Sequence, residues 1–278
     1  MNKIIDGKQI SLKIKNELKK EINELNLKPT LVVISVGDDA ASKVYVRQKE
    51  KCAKYVGINY IHLNYEQIEE ENLIKKIDEL NKDENINGII VQLPLPKYLN
   101  TTRIVNRISS QKDVDGLTYT NAGLLLNNEK CLVSCTPKGI MTLLERENID
   151  IEGKNVVIIG RSILVGKPMM NLFINANATV TMCHSKTKEI GKITKKADIL
   201  VVAIGKKHFV TKDMIKKGCI IIDVGINRCE DKLYGDVNYE DVYDKVKKIT
   251  PVPGGVGPMT VVMLMQNVLE AYKNQRNN

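Results

Sequence analysis

Val156-Val-Ile-Ile-Gly-Arg-Ser-Ile-Leu-Val-Gly-Lys-Pro168 is a short apolar run closed by a glycine, a polar turn and a second glycine. Apolar positions without alternation are the pattern of a strand buried on both faces, as in a parallel sheet covered by helices. A glycine-bearing turn then leads to a helix read as Lys167 to Ala176. Gly160 and Gly166 therefore bracket a strand-to-helix turn, the place where a doubly wound fold receives the phosphates of a dinucleotide. The pattern departs from G-x-G-x-x-G, since Ser162 stands for the middle glycine and the last glycine comes one residue later. Such turn glycines also occur without any cofactor. Arg161 adds a guanidinium able to grip a phosphate with two hydrogen bonds.

Downstream, Thr179-Val-Thr-Met-Cys183, Ile199-Leu-Val-Val-Ala203 and Ile220-Ile-Ile-Asp-Val224 read as further strands separated by short helical or turn segments. Upstream lies a second alternating series. A helix from about Lys8 to Asn26 carries Ile10, Ile14, Leu18, Ile22 and Leu25 on one face. Strand-like Leu31 to Val36, a helix through Ser42 to Tyr55, strand Tyr60 to Leu63, a helix carrying Leu73, Ile77 and Leu80, and strand Gly88 to Leu93 follow. Beyond a polar stretch, Thr136-Pro137 opens a helix through Leu144. Strands alternating with helices in this way predict an α/β chain with parallel sheets.

The next informative stretch is Pro251-Val-Pro-Gly-Gly-Val-Gly-Pro-Met-Thr260, ahead of a helix read as Met259 to Tyr272. Proline fixes φ and glycine admits close backbone approach, so the loop is stiff in places and bare in others. At a helix N-terminus it suits a flat or anionic ligand, although a tight structural turn is the commoner meaning of a Pro/Gly cluster.

Composition narrows the function. The 278 residues are 43% apolar and 27% charged, as in a soluble globular protein of one large or two ordinary domains. The charged N-terminus lacks a secretory core and no apolar run reaches membrane length, so a cytoplasmic protein is expected. Six cysteines without C-x-x-C pairs read as free thiols in a reducing compartment, and three histidines make a metal site an unfavoured reading. The net charge of +9 is mostly lysine, and with no Trp and two Phe a base-stacking platform is poorly supported.

Candidate chemistry gathers in three places. Ser42, Tyr45 and Lys49 are spaced to share one helix face, a pattern that taken alone fits an ordinary lysine-rich surface. Gln92, at the end of an apolar strand, and Tyr45 offer a setting in which a lysine can work catalytically. Asp113 and Asp115 bracket Val114 in a loop before Gly116: one is expected to bind a ligand while the other caps local backbone. The strand ending Cys183-His184-Ser185-Lys186 carries no carboxylate where an NAD site commonly has one. That favours NADP, with NAD as the alternative.

These strings, taken together, resemble the bifunctional methylenetetrahydrofolate dehydrogenase/methenyltetrahydrofolate cyclohydrolase family almost end to end. The match is carried by Ser42-Lys-Val-Tyr-Val-Arg-Gln-Lys49, Val91-Gln-Leu-Pro-Leu-Pro96, Lys112-Asp-Val-Asp-Gly116, Gly160-Arg-Ser162 with Val165-Gly-Lys-Pro168, Ala178-Thr-Val-Thr181 with Cys183-His-Ser185, Asp223-Val-Gly-Ile-Asn227 and Pro251 to Thr260. Leu117-Thr-Tyr-Thr-Asn121 departs from it where the family more often has Phe-His-Pro before the Asn, as do Ala40 in place of a proline and Cys219 in place of an alanine.

The resemblance implies two α/β domains flanking a cleft, the second a Rossmann-like doubly wound parallel sheet. Their expected extents are 1–118 for the folate-binding catalytic domain, with helix 259–278 packing back onto it, and 136–258 for the nucleotide domain. It implies that Lys49 moves the proton in hydrolysis, that Gln92 orients it, that Tyr45 stacks near the pterin and that Asp115 binds the pterin's amidine-like edge. Ser42, Leu93, Gly255, Gly257, Pro258 and Thr260 are expected on the folate side. Gly160, Arg161, Ser162, His184, Ser185 and the backbone at Ile226 are expected to hold the dinucleotide, with no metal. The partners implied are one-carbon tetrahydrofolates and a second copy of the chain, joined through the nucleotide domains, with neither nucleic acid nor membrane. Two alternatives stand beside this reading. A dehydrogenase without cyclohydrolase activity is disfavoured by Lys49, and a methenyl-hydrolysis assay separates the two. A basic nucleic-acid binder would show salt-dependent retention on DNA or RNA and no NADP-dependent absorbance change.

Overall fold

The computed structural model describes residues 2–276 apart from Asp231, and the chain divides into two compact units. One comprises Leu12–Cys135 with 261–276, the other 2–11 with Thr136–Thr260.

In chain order the first series runs α1 (Gly7–Glu24), β1 (Thr30–Val36), α2 (Ala40–Val56), β2 (Asn59–Tyr65), α3 (Glu70–Lys82), β3 (Gly88–Val91), α4 (Thr101–Val105) and α5 (Tyr119–Leu126). The strands form a parallel sheet in the order β2-β1-β3. β1 is central and all seven of its residues are buried, which is why its sequence is almost wholly apolar. Leu73, Ile77, Ile89 and Ile104 pack with it in one core. α1 buries Ile10, Ile14, Leu18 and Ile22 as the periodicity predicts, but Leu25 lies past its end and is exposed.

The second series runs α6 (Cys135–Arg146), β4 (Asn155–Ile159), α7 (Gly166–Asn175), β5 (Thr179–Cys183), α8 (Ile190–Thr194), β6 (Ile199–Val202), β7 (Ile220–Asp223), β8 (Asn227–Cys229), β9 (Lys232–Tyr234), α9 (Tyr239–Val242), β10 (Lys248–Ile249) and α10 (Val256–Arg276). The main sheet is parallel with order β10-β7-β6-β4-β5, while β8 and β9 pair as an antiparallel hairpin. The chain leaves β4 for β5 on one side and returns to β6 on the other. That reversal creates a switch-point crevice at the carboxyl ends of β4 and β6.

Several short elements and boundaries escaped the sequence reading. β3 stops at Val91 instead of Leu93, and α10 begins at Val256 instead of Met259, with Pro258 inside its first turn. The stretch read as merely polar contains α5, capped by Thr118, whose side chain accepts the Asn121 N–H. The β8–β9 hairpin was not predicted from the sequence.

Candidate active site

α2 positions three of the predicted groups. Asp39 caps its N-terminus by accepting the Ser42 N–H at 2.7 Å, and Gly57 ends it in the left-handed region. Tyr45 is exposed and Lys49 half-buried. Lys49 Nζ donates to Gln92 Oε1 at 2.8 Å. Gln92 is held from both ends: its N–H donates to Ile34 O, extending the β1–β3 ladder, and its Nε2 donates to Leu93 O at 2.7 Å. With the amide nitrogen engaged, the amide oxygen faces the lysine. The Ser42 hydroxyl is buried and has no hydrogen-bond partner. It lines a cavity of ≈ 290 Å³ together with Ser35, His62, Asn64 and Gln92. A buried hydroxyl of this kind is ready to meet water or a ligand.

The acidic motif divides its labour. Lys112 donates to Leu80 O and Asp83 O, at 3.0 and 2.7 Å, and so closes the C-terminal end of α3; burial pushes its ammonium below its ordinary pKa. Asp113 accepts the Thr118 N–H at 2.8 Å and Asn121 Nδ2 at 2.9 Å. It is therefore the acid that organises local backbone. Asp115 is tuned differently: burial raises its carboxyl above the usual range, the Lys49 charge opposes that rise, Asp113 adds to it, and a hydrogen bond with Cys135 lowers it. The backbone between the acids is pinned by Asn267 of α10, whose Nδ2 donates to Val114 O and Val133 O, both at 2.8 Å. Cys135 Sγ donates to the same Val114 oxygen at 3.4 Å. Neither Asn267 nor Cys135 was singled out from sequence, because an asparagine in an apolar helix and a lone cysteine carry no motif.

The predicted dinucleotide residues gather in the other unit. Gly160 has φ of +123°, and a side chain there would lie 2.3 Å from Ala203 O, so the turn after β4 closes directly on the turn after β6. Ser162 Oγ accepts the N–H groups of Val165 and Gly166 at 3.1 and 3.4 Å, which explains a serine where the familiar pattern has glycine. Arg161 is exposed at the crevice mouth. After β5, His184 Nδ1 accepts the Lys186 N–H, and the His184 N–H donates to Thr187 Oγ1, leaving Ser185 and Lys186 exposed. A crevice bare of side chains and edged by Arg161, Ser185 and Lys186, with no acid at the β5 end, fits a dinucleotide bearing an extra phosphate. Ile226 is exposed after β7.

The proline- and glycine-rich loop serves both packing and access. Gly255 is buried, with its carbonyl against Gly7, and Lys8 N–H donates to Gly254 O. Gly257 is exposed, and Thr260 Oγ1 shares a 2.9 Å hydrogen bond with Thr136 Oγ1. These residues lie in the nucleotide unit, whereas Ser42, Tyr45, Lys49, Gln92, Leu93 and Asp115 lie in the other. Among the described residues no group of three or more His, Cys, Asp or Glu is placed to hold a metal ion, and no helix is long and apolar enough to cross a membrane.

Comparisons with known proteins identify the family. Residues 5–115 match the catalytic-domain model of tetrahydrofolate dehydrogenase/cyclohydrolase, and residues 134–276 match its NAD(P)-binding-domain model. The bifunctional protein FolD of Thermodesulfovibrio yellowstonii is 52% identical over 278 residues, covering 98% of this chain and 97% of that one. The crystal structure of the bifunctional FolD dehydrogenase/cyclohydrolase of Campylobacter jejuni is 44% identical, with a TM-score of 0.95 over 98% of both chains. That of the Trypanosoma brucei dehydrogenase-cyclohydrolase, complexed with NADP cofactor and an inhibitor, is 34% identical, with a TM-score of 0.93 over 99% of this chain and 98% of that one. The chain belongs to the tetrahydrofolate dehydrogenase/cyclohydrolase family.

Proposed function

We infer that this protein oxidises 5,10-methylenetetrahydrofolate to the 5,10-methenyl form with NADP and then hydrolyses that product to 10-formyltetrahydrofolate. The observation that carries the second activity is the 2.8 Å bond from Lys49 to Gln92, beside an acid whose ionisation responds to the Lys49 charge. Bound NADP supplies the hydride acceptor. For that first step the chain's task is alignment, since a cation stabilised by two adjacent nitrogens forms without a proton transfer. Asp115 grips the amidine-like edge of the pterin through paired charge-assisted hydrogen bonds, and the Tyr45 ring stacks beside it. Leu93 and the Ser42 hydroxyl complete the folate side in one unit, and Gly255, Gly257, Pro258 and Thr260 supply it from the other. Arg161, Ser162, His184, Ser185 and the backbone at Gly160 and Ile226 hold the dinucleotide.

Hydrolysis does need proton movement. Water adds to the methenyl carbon and loses a proton, the bond from that carbon to N5 breaks, and N5 takes up a proton as the formyl C=O forms. Lys49 carries these protons, and its bond to Gln92 keeps its Nζ in place. An assay with methylenetetrahydrofolate and each dinucleotide tests the first activity, and dinucleotide-free decay of the methenyl absorbance tests the second. A protein inactive in both overturns the reading.

Its six free cysteines suit the reducing cytoplasm, where we place it. We also take it to be a homodimer joined through the nucleotide units. β5 is an edge strand of the five-stranded sheet, and such an edge is a ready surface for pairing with a second copy.

A further inference from the structure

The nucleotide unit holds two buried acids that the chemistry above leaves unused, Asp223 and Asp236. Asp223 ends β7 and serves its own neighbourhood, accepting the N–H groups of Gly225, Asp236 and Val237 at 3.1, 3.0 and 2.9 Å. Asp236 reaches elsewhere. Its Oδ2 accepts the N–H groups of Ile204 and Gly205 at 2.7 and 3.0 Å, and its Oδ1 accepts that of Lys206 at 2.6 Å. A fourth donor, Asn227 Nδ2, reaches Oδ1 at 2.9 Å. Three successive backbone N–H groups converging on one carboxylate form a closed anion nest, here filled by the protein's own side chain.

The location gives that nest its meaning. Residues 204–206 form the turn leaving β6, and β6 borders the switch-point crevice opposite β4. The facing lip is Gly160, packed so closely that a side chain would strike Ala203 O. Within the turn, Gly205 and Lys206 are exposed and Gly205 has φ of +63°, and Asp236 takes the N–H groups of all three residues. Asn227 follows directly after Ile226, the segment expected against the dinucleotide. One carboxylate thus ties the turn after β6 to Asn227, the first residue of β8. The packing around it leaves no slack: a side chain at Gly225 would lie 2.1 Å from Asp236 Cγ, and one at Gly235 would lie 1.8 Å from Asp223 Oδ2.

We propose that Asp236 is a positioning residue of the dinucleotide site, its carboxylate setting the backbone of residues 204–206 and, through Asn227, the segment at Ile226 in the arrangement that receives NADP. The proposal rests on the function inferred above, and it separates the two activities, because hydrolysis relies on Lys49 and Gln92 in the other unit.

Asp236→Asn keeps the size while replacing one acceptor oxygen with an NH₂ group that opposes the incoming donors. Calorimetric titration of the full chain with NADP alone reads the effect directly, and methenyl hydrolysis without dinucleotide serves as the internal control. The expected result is a dissociation constant raised roughly tenfold or more, the loss of about one charge-assisted hydrogen bond, with hydrolysis at the parental rate. Asn227→Ala removes a single donor from a half-buried position and is expected to shift NADP binding in the same direction by less. Parental NADP affinity in Asp236→Asn, or equal loss of hydrolysis and binding in a folded variant, overturns the proposal. Should Asp236→Asn fail to fold, Asn227→Ala decides, and unchanged affinity there overturns it equally. A parent protein that binds no NADP strikes the dinucleotide reading itself and this proposal with it.

Discussion

The Lys49 charge acts on Asp115, and that coupling is open to measurement. As the proposed pterin ligand Asp115 binds as a carboxylate, yet burial raises its pKa, against which the Lys49 charge and a hydrogen bond from Cys135 pull it back. As pH falls, the acid therefore loses its charge at a higher pH than an ordinary aspartate does, and folate affinity declines with it. Lys49→Met removes the opposing positive charge, so the acidic decline in folate binding is expected to move to still higher pH while hydrolysis is abolished. A binding profile against pH for both proteins checks this; an acid limb that stays put or moves downward contradicts the coupling. Asp115→Ala is expected to lower folate affinity by about one to two decades, since a hydrogen bond to a charged group is worth roughly 1.5–3 kcal/mol, and to depress both activities together. Arg161→Ala is expected to raise KM for NADP far more than for NAD, because only NADP carries the extra phosphate; equal effects on both would place the arginine elsewhere. That one of the two acids caps local backbone was legible in the sequence, and the Thr118 N–H and the Asn121 amide show that acid to be Asp113.

The helices and strands with strong periodicity were the legible ones. β1 and β4 announce themselves as apolar runs, and α1 shows its face at every third or fourth residue. α5 was missed because its sequence, Tyr119 to Leu126, gives no clean apolar face, and its start depends on the Thr118 cap and on Asp113 from the preceding turn. α10 is buried along much of its length, including Val262 to Met265, so its interior asparagine is conspicuous only once its partners are known. Asn267 joins α10 to the backbone at Val114 and Val133 on either side of the Asp115 loop. Asn267→Leu leaves both carbonyls without that donor and is expected to cost about 1–3 kcal/mol, seen as a lower Tm. Folate KM should rise with it while NADP affinity stays near the parental value. A variant equally stable and equally tight for folate would show that α10 merely packs there.

Assembly raises a question about the edge of the nucleotide sheet. The Thr179 N–H and the Cys183 C=O both bond toward β4, so the intervening Val180 turns its own N–H and C=O outward from the edge. Light scattering is expected to give twice the chain mass. Val180→Pro, which deletes an outward N–H that β4 does not use, should shift that mass toward the monomer without abolishing hydrolysis. A parent that stays monomeric at all concentrations refutes the dimer. The α/β class, the order of the motifs, the glycine turn at the dinucleotide crevice and the chemistry available to Lys49 and Arg161 were all readable along the chain, since apolar periodicity and turn preferences act between near neighbours. The closure of the end of α3 by Lys112, the hold of Asn267 on the backbone at Val114 and Val133, and the hold of Asp236 on a turn some thirty residues earlier were not. Those depend on hydrogen-bond partners brought within about 3 Å by packing, a distance no local pattern encodes and only the folded backbone sets.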